Sequence, residues 1–287
     1  MKLVIIDRAE IKLVLRNRQL FVDAQAIPLR LIELLVLQED VLLSSSLILN
    51  LSKEGIAIMH IGKNNMDMAL TLPQFAKNAH IKKAQYHALD QSLDLAKYFI
   101  DEKIIRHLSH LKSVGHDMGE NIWKEKVNKA ESIEVLIGIE GSFSRLYFGQ
   151  YFKLFSPHLH KGKRSKRPAL DPVNAMLSYV YTMVYNLLTT RLHMAGFEAS
   201  ISYLHIPFRS HYALSSDFME LFRARINEKV LEWFNDGLLS IDDFSRKDGV
   251  WLKYESRKKL WKEIKALLHV ISVEADKEMA LFRASIT

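Results

Sequence analysis

The texture of the chain changes at Pro73, and this change constrains the fold more than any other feature of the sequence. Before it, apolar residues fall in short runs broken by polar ones: Lys2–Ile6, Ile11–Leu15, Gln19–Val22, Ile32–Leu37, Ile56–Ile61 and Met68–Leu72. Such runs, rich in valine, isoleucine and leucine and bounded by polar breaks, predict strands. Only Ser45 to Lys53 reads as a helix there, with Gly55 just past its end, where a left-handed residue commonly closes a helix. From Gln85 onward the apolar residues recur every three or four positions, the period of a helix. Helices are predicted over Ser92–Leu111, Ile133–Phe155, from Asp171-Pro172 to Gly196, over Asp217–Trp233 and over Lys258–Ala284. Asp171 is a good N-cap and Pro172 fits a first helical turn. The expected fold class is α+β: a small N-terminal β-sandwich-like domain in residues 1–73, a linker over 74–85, and a larger all-α domain over 86–287.

Composition narrows what such a chain does. With 48% hydrophobic and 25% charged residues, 287 residues suffice for a buried core. The greasiest stretch, Ile32 to Leu51, is interrupted by Glu33, Glu39 and Asp40, so no membrane span is expected. Asp7 and Arg8 stand where a signal peptide would be apolar, and a cytoplasmic location is expected. The absence of cysteine excludes disulfides, thiolate metal sites and a cysteine nucleophile, which leaves His, Asp, Glu and Asn to hold any metal. A net charge of +7 favours a polyanionic partner. The one charge run is Lys161-Gly162-Lys163-Arg164-Ser165-Lys166-Arg167, between Pro157 and Pro168. No phosphate-binding glycine loop, zinc-protease HExxH, nucleophile elbow or dinucleotide fingerprint is present.

Three features carry candidate chemistry. Glu140 stands between Gly138 and Gly141 in an otherwise apolar helical stretch. Each mid-helix glycine costs up to about 1 kcal/mol relative to alanine. Close approach of another backbone or of a ligand is one compensation; tight helix packing with Glu140 at the surface is the plainer one. His205 follows Gly196 in a link between two helices, as a functional loop residue or as a half-buried histidine whose hydrogen bonds are met internally. Asp217 and Glu220, three apart, share a helix face, and they equally match a capping box with Asp217 as N-cap. Together, two or three carboxylates and one imidazole form an oxygen-rich donor set suited to magnesium or manganese. Beside a basic surface, that is the equipment of phosphodiester chemistry.

The order of motifs resembles the family of CRISPR-associated protein one, the integrase and endonuclease of spacer acquisition. The likeness runs along nearly the whole chain. It comprises Leu51-Ser52-Lys53-Glu54-Gly55 with Ile56, then Ala84-Gln85-Tyr86 with Ala96-Lys97 and Lys103-Ile104, then Glu140-Gly141 with Arg145-Leu146-Tyr147-Phe148. It continues through Asp171-Pro172-Val173-Asn174-Ala175-Met176-Leu177 with Tyr179 and Tyr181, Leu204-His205, and Asp217-Phe218-Met219-Glu220 with Phe222-Arg223. Singly these matches are weak; six in the family's order are specific. Ala199, Ser202, Arg106 and His107 depart from the family pattern, and Glu220 stands where many members have aspartate, but no ligand position is lost.

The resemblance implies that the helical domain is catalytic, with Glu140, His205, Asp217 and Glu220 as the catalytic set and Glu140, His205 and Glu220 as ligands of Mg2+ or Mn2+. It implies strand transfer, in which a spacer DNA 3′-hydroxyl attacks a phosphodiester of the CRISPR repeat. It implies a homodimer that joins a second small protein, CRISPR-associated protein two. DNA contacts are expected from Lys161, Lys163, Arg164, Lys166 and Arg167 of the basic run, and from Arg145 and Arg223. A solvated, mobile loop is the plainer reading of that run. Tyr147, Tyr179 and Tyr181 are expected in the core rather than on DNA. Two alternatives share the motifs: a DNA-end-binding module without catalysis, and a stand-alone nuclease for branched DNA.

Overall fold

A computed structural model describes residues 2–62, 68–73, 78–117, 119–206 and 211–287. The chain divides into two compact units: residues 1–86 with 186–198 and 272–287, and residues 87–185 with 199–271.

The first unit is built on two sheets. Strands β1 (Lys2–Ile6), β5 (Ile32–Leu37), β6 (Ala57–Ile61) and β7 (Met68–Thr71) form a mixed sheet in the order β1-β5-β6-β7. β1 and β6 run parallel to β5, whereas β7 runs antiparallel to β6. Parallel neighbours need a crossover. The chain between β5 and β6 makes its crossover with helix α1 (Ser45–Lys53), capped where Ser44 Oγ accepts the Leu47 N–H at 3.2 Å. The chain between β1 and β5 holds the antiparallel meander β2 (Leu13–Arg16), β3 (Gln19–Val22) and β4 (Gln25–Pro28). The β2–β3 turn places Asn17 and Arg18 at φ 49° and 56°, the left-handed pair that a two-residue hairpin turn requires. Side chains of both sheets share one core, with Leu20 of β3 packed in the same cluster as Val4, Leu35, Leu37 and Ile58, and α1 adds Leu47 and Leu51. β5 is buried at every position but Glu33, as expected of a strand covered on both faces.

Two later segments complete this unit. Arg191, at the C-terminal end of helix α6 (Pro172–Met194), donates to Glu33 of β5 at 3.2 Å and to Asp276 of helix α8 (Tyr254–Ile286) at 3.0 Å. A buried guanidinium between two carboxylates satisfies its planar donor fork. The expected linker, residues 74–85, lies partly outside the described residues (74–77); its later part begins helix α2 (Ala79–His87).

Among the described residues, the regular structure of the second unit is helical apart from one short hairpin, β8 (Phe244–Arg246) with β9 (Val250–Leu252). Helix α3 (Ser92–Ser113) packs against α4 (Glu120–Asn128), α5 (Ile133–Tyr151) and α7 (Ala213–Asn235). α7 is buried at every position from Ala213 to Phe222 and inward through Ile226 and Val230, so it is the central helix of the unit. Phe99 of α3 meets Phe218 edge to face at 5.4 Å. Tyr147 and Tyr181 are core residues, as the sequence reading expects: Asn227 Nδ2 donates to Tyr147 Oη at 3.0 Å, and Tyr181 Oη donates to Asn227 Oδ1 at 2.5 Å. Tyr179 is half-buried, with Arg257 over its ring at 5.5 Å. Among the described residues, no helix is long and apolar enough to cross a membrane.

Candidate active site

Four elements of the helical unit bring charged side chains together: α3 with Lys103, α5 with Glu140, the segment before α7 with His205, and α7 with Asp217, Glu220 and Arg223. α7 begins at Ala213, four residues earlier than the sequence suggests. Asp217 is therefore one turn inside the helix and is not its N-cap, and the capping-box reading of Asp217 and Glu220 is corrected. The Asp217 carboxylate caps a different segment. Its Oδ2 accepts the backbone N–H groups of Tyr203 at 2.8 Å and Leu204 at 3.2 Å, and its Oδ1 accepts that of His205 at 3.0 Å. Its Oδ1 also accepts His205 Nδ1–H at 2.8 Å. A fully buried carboxylate is tolerable only with such complete satisfaction.

This arrangement fixes the imidazole. Nδ1 carries a proton toward Asp217, which leaves Nε2 as the free ring nitrogen, 3.9 Å from Glu220 Oε1. Burial pulls the His205 pKa down, but the Asp217 hydrogen bond and the charges of Glu220 and Asp217 outweigh it, and the net shift is upward. Burial would raise the Glu220 pKa, yet the charges of Arg223, Lys103 and His205 hold this carboxyl well below the usual range. Arg223 Nε donates to Glu220 Oε1 at 2.8 Å, and its guanidinium lies 4.8 Å from the Tyr181 ring centre. Glu220 Oε2 faces Lys103 Nζ at 2.5 Å, an ion pair without an aligned hydrogen bond. Lys103 Nζ also pairs with Glu140 Oε1, which accepts Ser144 Oγ–H at 2.7 Å.

Glu140, His205, Asp217 and Glu220 are thus neighbours linked through one cluster. As they stand, no three His, Asp or Glu side chains among the described residues are close enough to hold a metal ion. The reason is visible in the geometry: the Lys103 ammonium stands between Glu140 and Glu220. The donor types fit a hard divalent ion: Glu140 and Glu220 already share one cation, and His205 Nε2 lies 3.9 Å from the other Glu220 oxygen. Lys103 carries no role in the sequence reading beyond a motif match. One signal marked it: on α3 it shares the apolar stripe of Phe99, Ile100, Ile104 and Leu108, where a lysine needs a buried partner.

The basic run is a structured loop. Asn174 of α6 accepts Ser165 N–H at 3.0 Å and Arg164 Nη1–H at 2.9 Å on Oδ1, and its Nδ2 donates to Lys163 O at 2.9 Å and Asp171 Oδ2 at 2.7 Å. Asp171 caps α6 as expected, accepting Asn174 N–H at 2.8 Å, and also accepts Lys161 N–H at 3.0 Å. Arg164 is turned inward over Tyr181 and donates to Ser178 Oγ at 3.1 Å, so its guanidinium anchors the loop. Lys161, Lys163, Lys166 and Arg167 remain exposed. Lys166 is exposed as a residue, but partial burial of its ammonium, then the charges of Arg223 and Arg164, lower its pKa, and Glu220 acts on it in the opposite sense. Arg145 is exposed on α5. Among the described residues, a side chain added at Gly138 or Gly141 would meet nothing within 4 Å, so neither close approach nor tight helix packing accounts for these glycines there.

Comparison with known proteins shows the family and the fold. The family model "CRISPR associated protein Cas1" matches residues 4–266. A CRISPR-associated endonuclease Cas1 of Thermodesulfovibrio yellowstonii is 29% identical over 284 residues, covering 91% of this chain and 89% of that protein. A CAS1 protein structure from Thermotoga maritima superposes with a TM-score of 0.87 at 17% identity, covering 100% of this chain and 97% of that one. A casposase bound to an integration product superposes with a TM-score of 0.81 at 20% identity, covering 100% of this chain and 92% of that one.

Proposed function

This chain belongs to the Cas1 family of CRISPR-associated proteins, and from that premise we propose that it is a divalent-metal-dependent DNA endonuclease and integrase that joins spacer 3′-hydroxyl ends into a CRISPR repeat. The observation that carries the reading is that Glu140 and Glu220 share one cation, with His205 Nε2 3.9 Å from Glu220 Oε1 and Arg223 bonded to the same oxygen. The casposase likeness, a relative shown with an integration product, supports strand transfer as the reaction type.

Glu140, Glu220 and His205 Nε2 would hold the metal, Mg2+ or Mn2+, once Lys103 gives way. When bound, such an ion neutralises phosphate charge and promotes attack by an oxygen nucleophile. The protein's own groups do the rest. Asp217 orients His205 through Nδ1 and fixes the segment that carries it. Lys166 and the other exposed cations of the loop draw the DNA backbone to the site. In the transfer, the spacer 3′-oxygen forms a new bond to phosphorus as the repeat's own 3′-oxygen leaves. One proton departs from the nucleophile and one is taken up by the leaving group. One phosphodiester is exchanged for another, so no external energy source is required.

The partners follow from the same reading: spacer DNA and the repeat as substrates, a homodimer as the working unit, and the small CRISPR-associated protein two as companion. A strand-transfer assay tests it. Purified protein, with and without the companion, receives a labelled duplex and a supercoiled plasmid carrying the repeat, in Mn2+, Mg2+ or EDTA. Metal-dependent joined products from the wild type, absent with Glu140→Ala and His205→Ala, are expected. Nicking without joining would leave the nuclease alternative, and DNA binding indifferent to metal would leave only a binding module.

A further inference from the structure

The mechanism above asks Lys103 only to move, yet its placement is too specific for a bystander. Its side chain is 4% exposed, and its ammonium pairs with Glu140 Oε1 and Glu220 Oε2 at once. The other Glu220 oxygen is taken by Arg223. Without Lys103, two carboxylates from α5 and α7 would face each other in a poorly solvated space, where like charges repel strongly. The ammonium lies 2.5 Å from Glu220 Oε2, against about 2.0–2.2 Å for a magnesium or carboxylate–metal contact. Two cations cannot both occupy that place.

We propose that Lys103 is a built-in substitute cation: it and the divalent metal exclude one another between Glu140 and Glu220, and metal entry turns the ammonium out from between them. This rests on the metal reading above and adds a consequence to it. An ammonium expelled from its carboxylates into a buried setting needs another anion. The phosphate of bound DNA is the anion that this site is built to receive. DNA therefore stabilises the metal-bound arrangement by accepting Lys103, and metal and DNA bind with positive coupling. By linkage the coupling is reciprocal. Free protein is protected in this way from holding a nuclease-competent metal when no DNA is present.

Calorimetric titration of Mn2+ into metal-free protein, with Mn2+ electron paramagnetic resonance as a second readout, tests the exchange. Wild type, Lys103→Met, Lys103→Gln and Lys103→Arg are compared with and without a short duplex. Lys103→Met should bind Mn2+ about tenfold or more tightly than wild type without DNA, within the usual range of coupling between two sites. It should also lose most of the gain that duplex confers on wild type. Lys103→Arg, which restores a cation, should return toward wild-type affinity, a rescue that a merely bracing residue would not show. Without metal, Lys103→Met should melt at a lower temperature than wild type and regain more on adding Mn2+. Lys103→Gln, which keeps a donor between the carboxylates, serves if the methionine variant does not fold. Equal or weaker Mn2+ binding by the neutral variants, in a wild type whose Mn2+ binding is lost with Glu140→Gln, would overturn the exchange and leave the metal site intact. Absence of site-specific Mn2+ in every form would overturn both.

Discussion

His205 Nδ1 lies 2.8 Å from Asp217 Oδ1, and the same carboxylate oxygen accepts the His205 backbone N–H at 3.0 Å. One side chain thus sets both the ring and the peptide of His205, and its second oxygen holds Tyr203 and Leu204. Asparagine in that place has one acceptor oxygen for four donors and would turn an N–H2 group toward some of them. Asp217→Asn is expected to lower strand transfer by about 10- to 100-fold, the usual effect of losing the partner that orients a metal-bound histidine. It should also cost roughly 1–3 kcal/mol of stability through unmet buried donors. Transfer rates and a denaturant melt measure the two effects; an unchanged rate would mean that His205 does not depend on this orientation.

The pH dependence of the metal-free protein follows from the same pair. The His205 pKa in the folded protein lies above its ordinary 6.5, so the folded state binds that proton more tightly. Its stabilising contribution is complete below about pH 6.5 and is lost as pH rises through the raised value. Glu220 acts oppositely: its contribution is present above its ordinary 4.5 and is lost only as pH falls far below it. In EDTA, the melting temperature should fall as pH is raised from 6.5 through the raised His205 value, and His205→Gln should flatten that part of the profile. A variant profile parallel to wild type would remove His205 as the source.

The basic loop separates two kinds of cation. Exposed Lys163, Lys166 and Arg167 should each contribute about 0.7–0.9 to the salt slope of DNA binding if they neutralise phosphates. Arg164, committed to Asn174 and Ser178, should contribute stability instead. Lys166→Ala should therefore reduce the slope with little change in melting, and Arg164→Ala should lower the melting temperature. Asn174→Ala, at a fully buried position, removes the four side-chain bonds that shape the loop. It should weaken DNA binding without touching DNA, at a stability loss of roughly 1–3 kcal/mol. A slope that stays fixed when the exposed cations are neutralised would place the DNA path elsewhere.

Long periodic elements were legible in the sequence: β5, α1, α3, α5, α6 and α8 lie close to where the apolar spacing places them. So were the short apolar strands β1, β2, β3, β6 and β7, whereas β4, α2, α4 and the β8–β9 hairpin offer too weak an apolar period, and α4 buries Trp123 and Val127 on its inner face. The start of α7 was misread because Asp217 is a good N-cap type, whereas its carboxylate serves a segment twelve to fourteen residues earlier in the chain. That is a tertiary contact with no local signature. The cation between Glu140 and Glu220 was missed for the same reason, since its partners lie 37 and 117 residues beyond Lys103 in the sequence.

The glycines beside Glu140 remain to be accounted for. α5 is helical through Gly138 and Gly141, and a methyl group at either position would meet nothing among the described residues. By backbone entropy alone, Gly138→Ala and Gly141→Ala should each stabilise the protein by roughly 0.5–1 kcal/mol. A sequence that keeps two costly glycines on an exposed face, flanking Glu140, gains something that the isolated chain does not display. Close approach of DNA or of a second protein chain is the physical candidate, because only there does a missing side chain matter. The expected outcome is a higher melting temperature for both alanine variants together with weaker DNA binding or slower strand transfer. Should the variants be more stable and equally active with DNA and companion present, the glycines serve no contact, and the face they line would be free surface in the working complex.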